Sequence, residues 1–230
     1  MGKEFARGAP EMNRVLVSVE GQTEETFVRE VLRQYLWMRN VDLQPVIVST
    51  SRVKQGNKFK GGLLSYAKVR NEIVRLLYDT NAMAVTTLYD LYHLPTDFPG
   101  YDTRPAGDGR SKALHLEQAL KSDIVSARFY PHLQIYEFEA FLFVNPERTA
   151  TLFTDRDISA ELRRIRQEFP TPEDIDDGPL TAPSKRIMAL YPKYEKPLDG
   201  PIATLEVGLD AIRAECPHFN TWLGWLETLG

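Results

Sequence analysis

The chain has 230 residues, 43% of them hydrophobic, with 28 Lys and Arg against 32 Asp and Glu, a formal net charge of −4 and one cysteine. That length suits one large domain, or one domain with an appended lobe, and it buries a core without staples. The lone Cys216 excludes an intramolecular disulfide and a Cys-based zinc site, as in a reducing cytoplasm, no apolar run reaches the ~18 residues of a membrane span, and the mild acidity excludes a polybasic coat but not a local basic patch.

Residues 1–11 (MGKEFARGAPE) show no periodicity and precede a second methionine, Met12, so they read as a leader outside the fold. Val15–Val19 is short, apolar and β-branched, which predicts a buried strand. A Gly turn follows, and Phe27, Val28, Val31, Leu32 and Tyr35 recur at helical spacing over Glu25–Met38, with Thr23 as the expected N-cap. Gln44–Ser49 is a second strand candidate, and Leu63–Tyr78 a second helix. Ala84–Asp90 is a third strand, Lys112–Lys121 a short helix and Phe129–Tyr136 a fourth strand ending at Glu137. This alternation predicts an α/β core over 12–145 with a mostly parallel central sheet flanked by helices. From 146 to 230 the patterns are helical (Ser159–Glu168, Lys185–Tyr191, Ile202–Glu215), predicting a helical C-terminal lobe packed on the core. Trp222, Leu223, Trp225 and Leu226 have the spacing of a helix docked into it.

The acids fall where the expected strands stop: Glu20 after the first, Asp90 after the third, Glu137 and Glu139 after the fourth. Ligands of open parallel sheets bind at the carboxyl ends of the strands, so acids distant in sequence converge there. Hard oxygen donors of this kind suit Mg2+ or Mn2+, above all when a substrate adds phosphate oxygens. Each acid taken singly also fits a helix cap or a solvated loop.

Basic residues gather between Arg52 and Arg75, with Arg52, Lys54, Lys58 and Lys60 in a Gly-bearing loop that suits phosphate groups as well as it suits solvent. Lys185 and Arg186 follow Pro183 and Ser184 at a helix start, where they face a phosphate or pair with the acidic run Glu173–Asp177. No GxxxxGK[ST] occurs, which disfavours ATP hydrolysis by this chain, and His93, His115, His132 and His218 show no zinc-hydrolase spacing. Tyr89, Tyr92, Phe98 and Tyr101 crowd the loop after Asp90, as packing for that loop or as a stack for bases.

The run Glu20-Gly21-Gln22-Thr23-Glu24, directly after an apolar strand, resembles the first motif of the Toprim fold of topoisomerases, bacterial primases and overcoming-lysogenization-defect nucleases. The ordered series VEGQTEETFV, FKGGLLSYAKVRNEI, LYDLYHLPTDFPG, IYEFEAFLF, APSKRI and CPHFNTWL is similar to a bacterial Toprim-like family of unknown function across 13–226. The resemblance implies a general acid/base at Glu20 and a metal-holding aspartate at Asp90. Tyr92 stands where the second aspartate of the Toprim pair would be, and Glu137, Glu139 or Asp97 is left to replace it. Gly21 would let a phosphate approach the turn. Glu24 is either a further ligand or a first-turn acid.

The expected function is therefore a Mg2+- or Mn2+-dependent nuclease, or a related phosphodiester-transfer enzyme, acting on DNA or RNA. The family resemblance adds anti-phage defence beside a separate ATPase subunit. The alternatives are a catalytically inactive Toprim-like binding or regulatory subunit, and an enzyme acting on a small phosphorylated molecule.

Overall fold

The first strand sets the layering. In β1 (Asn13–Val19), Val15, Val17 and Val19 enter one core while Leu16 enters another, the period-two split of a strand covered on both faces. The computed structural model describes residues 12–48, 63, 65–92, 94–176 and 178–230. The leader, the basic loop with Arg52, Lys54, Lys58 and Lys60, and His93 lie outside the described residues.

β1 pairs in parallel with β2 (Val41–Ile47) on one side and β3 (Ala84–Asp90) on the other, and β4 (Phe129–Tyr130) continues the order β2-β1-β3-β4. A fifth strand, β5 (Leu133–Gln134), also pairs in parallel with β3. The expectation of one continuous fourth strand over Phe129–Tyr136 is corrected here to two short strands. Pro131 has no N–H to give the ladder, and the Thr87 hydroxyl takes over beside it. That hydroxyl accepts from His132 N–H (2.9 Å) and donates to the His132 carbonyl (2.8 Å).

The first helix begins earlier than Glu25. Helix α1 (Gln22–Phe27), a π-helical turn (Val28–Leu32) and α2 (Arg33–Trp37) run on from one another. Gly21, not Thr23, is the N-cap, and the Glu24 carboxylate reaches back to Gly21 N–H at 2.9 Å, one half of a capping box. Helices α3 (Tyr66–Leu77) and α4 (Gly109–Asp123) cover the opposite face. Asp97 caps α3 by accepting Tyr66 N–H (2.9 Å), and Asp108 caps α4 by accepting Ser111 N–H (2.6 Å).

The C-terminal part is helical: α5 (Pro146–Ala150), α6 (Ser159–Gln167), α7 (Pro183–Leu190), α8 (Lys196–Val207), α9 (Leu209–Glu215) and α10 (Pro217–Glu227). The single helix expected over Ile202–Glu215 starts at Lys196 and breaks at Gly208, whose φ of +88° favours glycine. These helices share a core with α1, α2 and one sheet face. Phe27 meets Phe138 edge-on at 5.2 Å, and Phe141 meets Phe219 at 4.9 Å. Trp222, Leu223 and Leu226 are buried as their spacing predicts, each worth roughly 1.5–3 kcal/mol of transfer free energy. Tyr89 and Phe98 are likewise packed inward. No helix among the described residues is long and apolar enough to cross a membrane.

Candidate functional site

β1 delivers Glu20 just past Val19, β3 ends on Asp90, and Glu24 rides the first turn of α1. After β5 the chain turns through Tyr136, which takes a left-handed φ of 58°, rare for a residue with a bulky side chain. It then enters a 3-10 segment, Phe138–Phe143, that is preceded by Glu137 and carries Glu139. Glu20, Glu24, Glu137 and Glu139 all raise the proton affinity of Asp90, so five carboxylates share one electrostatic neighbourhood. Glu24, Glu137 and Glu139 are buried, while Glu20 and Asp90 keep part of their surface exposed.

The carboxylates are held unequally. Glu137 is gripped by the start of α7: Ser184 N–H donates to Oε2 (2.8 Å) and the Ser184 hydroxyl to Oε1 (3.0 Å). Glu139 takes the Lys196 ammonium (3.2 Å) and the Tyr194 hydroxyl (3.4 Å), and Lys196 also stands 3.6 Å from Glu137. Asp90 accepts Phe138 N–H at 2.9 Å. Glu20 Oε2 is sealed from solvent and has no hydrogen-bond partner among the described residues. Close helix packing brings Lys196 here. A Cβ at Gly200 of α8 would lie 3.0 Å from the Tyr194 hydroxyl and 3.2 Å from the Phe138 ring.

One lysine against five acids leaves the cluster short of positive charge. Burial, and then Glu24, push the Glu20 carboxyl up to about 8. Burial also lifts Glu24 to about 7, against the pull of the helix N–H groups. Burial raises Asp90 well above the carboxylate range and raises Glu139 despite Lys196. For Lys196, burial alone would lower the ammonium, but Glu139, Glu137 and Asp90 outweigh it and hold it above its ordinary value. The cluster thus stores protons near neutral pH that a divalent cation would displace.

Among the residues expected at the site, Glu20, Asp90, Glu137 and Glu139 come together, and Gly21 caps α1 beside them. Lys185 is exposed on α7. Arg186 donates to the Thr181 carbonyl (2.6 Å), lies over the Phe169 ring (5.2 Å) and stands 3.9 Å from Asp176, which agrees with the pairing reading for that residue. Asp97 is spent on the α3 cap. Glu24 and Lys196 matter more here than their sequence signals suggested.

A second group had no sequence signal. Glu117 of α4, His132 between β4 and β5, and His218 of α10 bring one ligand atom each within 4.8 Å of one another and could hold a metal ion; among the described residues this set, not the acid cluster, closes so tightly. Glu117 Oε1 contacts His218 Nε2 (2.8 Å) and accepts Leu133 N–H (2.8 Å). Burial, then His218, hold the His132 imidazole neutral by lowering its pKa well below the usual value. A shallow depression lined by Arg70, Val74, Leu77, Tyr78, Asp123 and Ile124 shares no residue with either group.

No curated protein and no solved structure matches this chain. Residues 19–227, from the last residue of β1 to the end of α10, match the family described as Domain of unknown function (DUF4276), and the chain belongs to that family.

Proposed function

We propose that the chain is a Mg2+- or Mn2+-dependent enzyme of phosphodiester cleavage or transfer on DNA or RNA, working at the acid cluster in the cytoplasm. The observation that carries this reading is the excess of buried carboxylate at the carboxyl end of a parallel sheet, with Glu20 Oε2 sealed and unpartnered. The donor set is all oxygen, which fits a hard cation. Its looseness fits an ion completed by water and phosphate oxygens rather than caged by protein. Asp90 would hold the ion, with Glu20 beside it left to carry a proton; when bound, the ion supplies neutralising charge at a phosphoryl group.

The chain's own residues divide the remaining work. Glu20, raised to about 8, is poised near neutral pH to take or give a proton at the attacking or leaving oxygen. Ser184 fixes Glu137, and Lys196 and Tyr194 fix Glu139, so these two acids set the charge behind the pair in front. Lys185, exposed at the start of α7, would meet a nucleic-acid phosphate. A separate ATPase partner and a role in anti-phage defence rest on the Toprim resemblance alone.

One observation favours the rival reading, a Toprim-like regulatory module without catalysis: Lys196 already supplies a cation to Glu137 and Glu139. Calorimetric Mn2+ titration of the wild type and of Glu20→Gln/Asp90→Asn, beside cleavage assays on DNA and RNA, separates the two. Mn2+ binding and Mn2+-dependent cleavage, both lost in the double variant, support the enzyme. No Mn2+ binding and no cleavage of either nucleic acid supports the module.

A further inference from the structure

We propose that Glu117, His132 and His218 form a zinc-type transition-metal site that fastens α4 and α10 across the broken edge of the sheet. This site is independent of the phosphodiester reading. Two imidazoles and one carboxylate are a borderline-soft donor set, which suits Zn2+ and its probe Co2+ and does not suit Mg2+.

The geometry needs little adjustment. Ligand atoms around a tetrahedral ion with bonds of about 2.0–2.1 Å stand roughly 3.3 Å apart. The observed separations bracket that value, 2.8 Å from Glu117 Oε1 to His218 Nε2 and 3.6 Å to His132 Nδ1. Metal entry would displace the proton shared between Glu117 and His218.

His132 supplies the independent observation. Its side chain is buried, and the nitrogen that faces Glu117, Nδ1, stands 3.6 Å away, beyond hydrogen-bond distance. A metal on Nδ1 would give that buried lone pair a partner, with the ring proton then carried by Nε2.

The surroundings are built to hold the three groups still. The Trp222 indole stacks on His132 at 4.6 Å, and its Nε1–H donates to Thr86 (2.9 Å). The His132 backbone is clamped on both sides by Thr87. Leu133 N–H fixes Glu117, and Glu173 accepts the backbone N–H groups of His218 and Phe219, both at 2.9 Å. Supports of this kind orient ligands in metal sites. Three protein ligands leave a fourth position for water, on the side where Glu117 keeps 13% of its side chain exposed.

The test uses the full chain with Co2+ and Zn2+ alone. Expected are the visible bands of tetrahedral Co2+ at an intensity of one such ion per chain, and a Zn2+-dependent rise in melting temperature. Both Glu117→Gln, which can still cap Leu133 N–H, and His218→Ala should weaken Co2+ binding by roughly 100-fold or more. Glu20→Gln/Asp90→Asn should leave the Co2+ spectrum unchanged. A wild type without Co2+ bands or a Zn2+ shift overturns the proposal, as do bands that survive in Glu117→Gln. Bands lost only in the Glu20/Asp90 variant would place the ion in the acid cluster instead and equally overturn it. If His218→Ala does not fold, Glu117→Gln and the wild-type spectrum decide.

Discussion

At the strand ends five carboxylates share one lysine; at the broken sheet edge one carboxylate serves two imidazoles. Both groups are largely buried, yet they solve the cost of burial differently. The acid cluster keeps its charge down by holding protons, so its state changes near neutral pH. The edge group has a neutral His132 and one anion already bonded to Leu133 N–H, so it has little charge left to discharge. Excess charge with an open side suits turnover, whereas a clamped donor set drawn partly from α4 and α10 suits holding those two helices together.

The largest effect should come from Glu20→Gln. It removes the proton-carrying oxygen with little change of shape, and nucleic-acid cleavage should fall by about 10²–10⁴-fold, read as turnover at saturating Mn2+. Undiminished cleavage would remove Glu20 from proton transfer. The same variant should leave Co2+ binding at the edge group intact.

pH separates the two regions next. Glu20 at about 8 and Glu24 at about 7 lie above the unfolded carboxylate value of 4.5. The folded state therefore binds more protons than the unfolded one between those values, and metal-free stability should fall as pH rises from about 5 to 8. Glu139, Asp90 and Lys196 face the same pair and shape that fall, with Glu137 acting on Asp90 behind them. Mn2+ affinity should rise over the same window, by about tenfold per pH unit for each proton displaced, measured by calorimetry in buffers of different ionisation heat. Melting temperature against pH, with and without Mn2+, checks the sign.

Smaller effects probe the supports. Ser184→Ala removes one of two donors to buried Glu137 and should cost about 1–3 kcal/mol, read by urea unfolding, with the Co2+ spectrum unchanged. Gly200→Ala should cost about 1–2 kcal/mol by crowding Tyr194 and Phe138, a drop of about 2–4 °C in melting temperature per kcal/mol. Lys185→Ala should cost under about 0.5 kcal/mol in stability and lower the salt slope of nucleic-acid binding by about one unit.

The legible parts of this molecule are those whose signals are local. β3 follows its apolar run residue for residue, and β1 and β2 differ from expectation only at their ends. Glu20, Asp90, Glu137 and Glu139 were readable because a strand end is itself a sequence feature. Lys196 carried only a weak signal, as a basic residue that could face a phosphate, and its pairing with the acids depends on α8 pressing against Phe138 and Tyr194 at Gly200. Glu117 and His218 are 101 positions apart, and nothing in the spacing of Glu117, His132 and His218 marks them as neighbours. Their meeting depends on a strand that breaks at Pro131, which periodicity read as continuous.

That break also limits how copies of the chain can meet. A sheet edge is a template on which another chain adds a strand, the usual route to fibrils and swapped dimers. On the β2 side, Val48 N–H donates inward to the Val19 carbonyl. Alternation therefore points residue 45 outward, and it is a proline with no donor to offer. On the other side Pro131 interrupts the edge, and Glu117 already occupies Leu133 N–H. Each margin of the sheet thus lacks a donor that an added strand would need, which works against strand recruitment there.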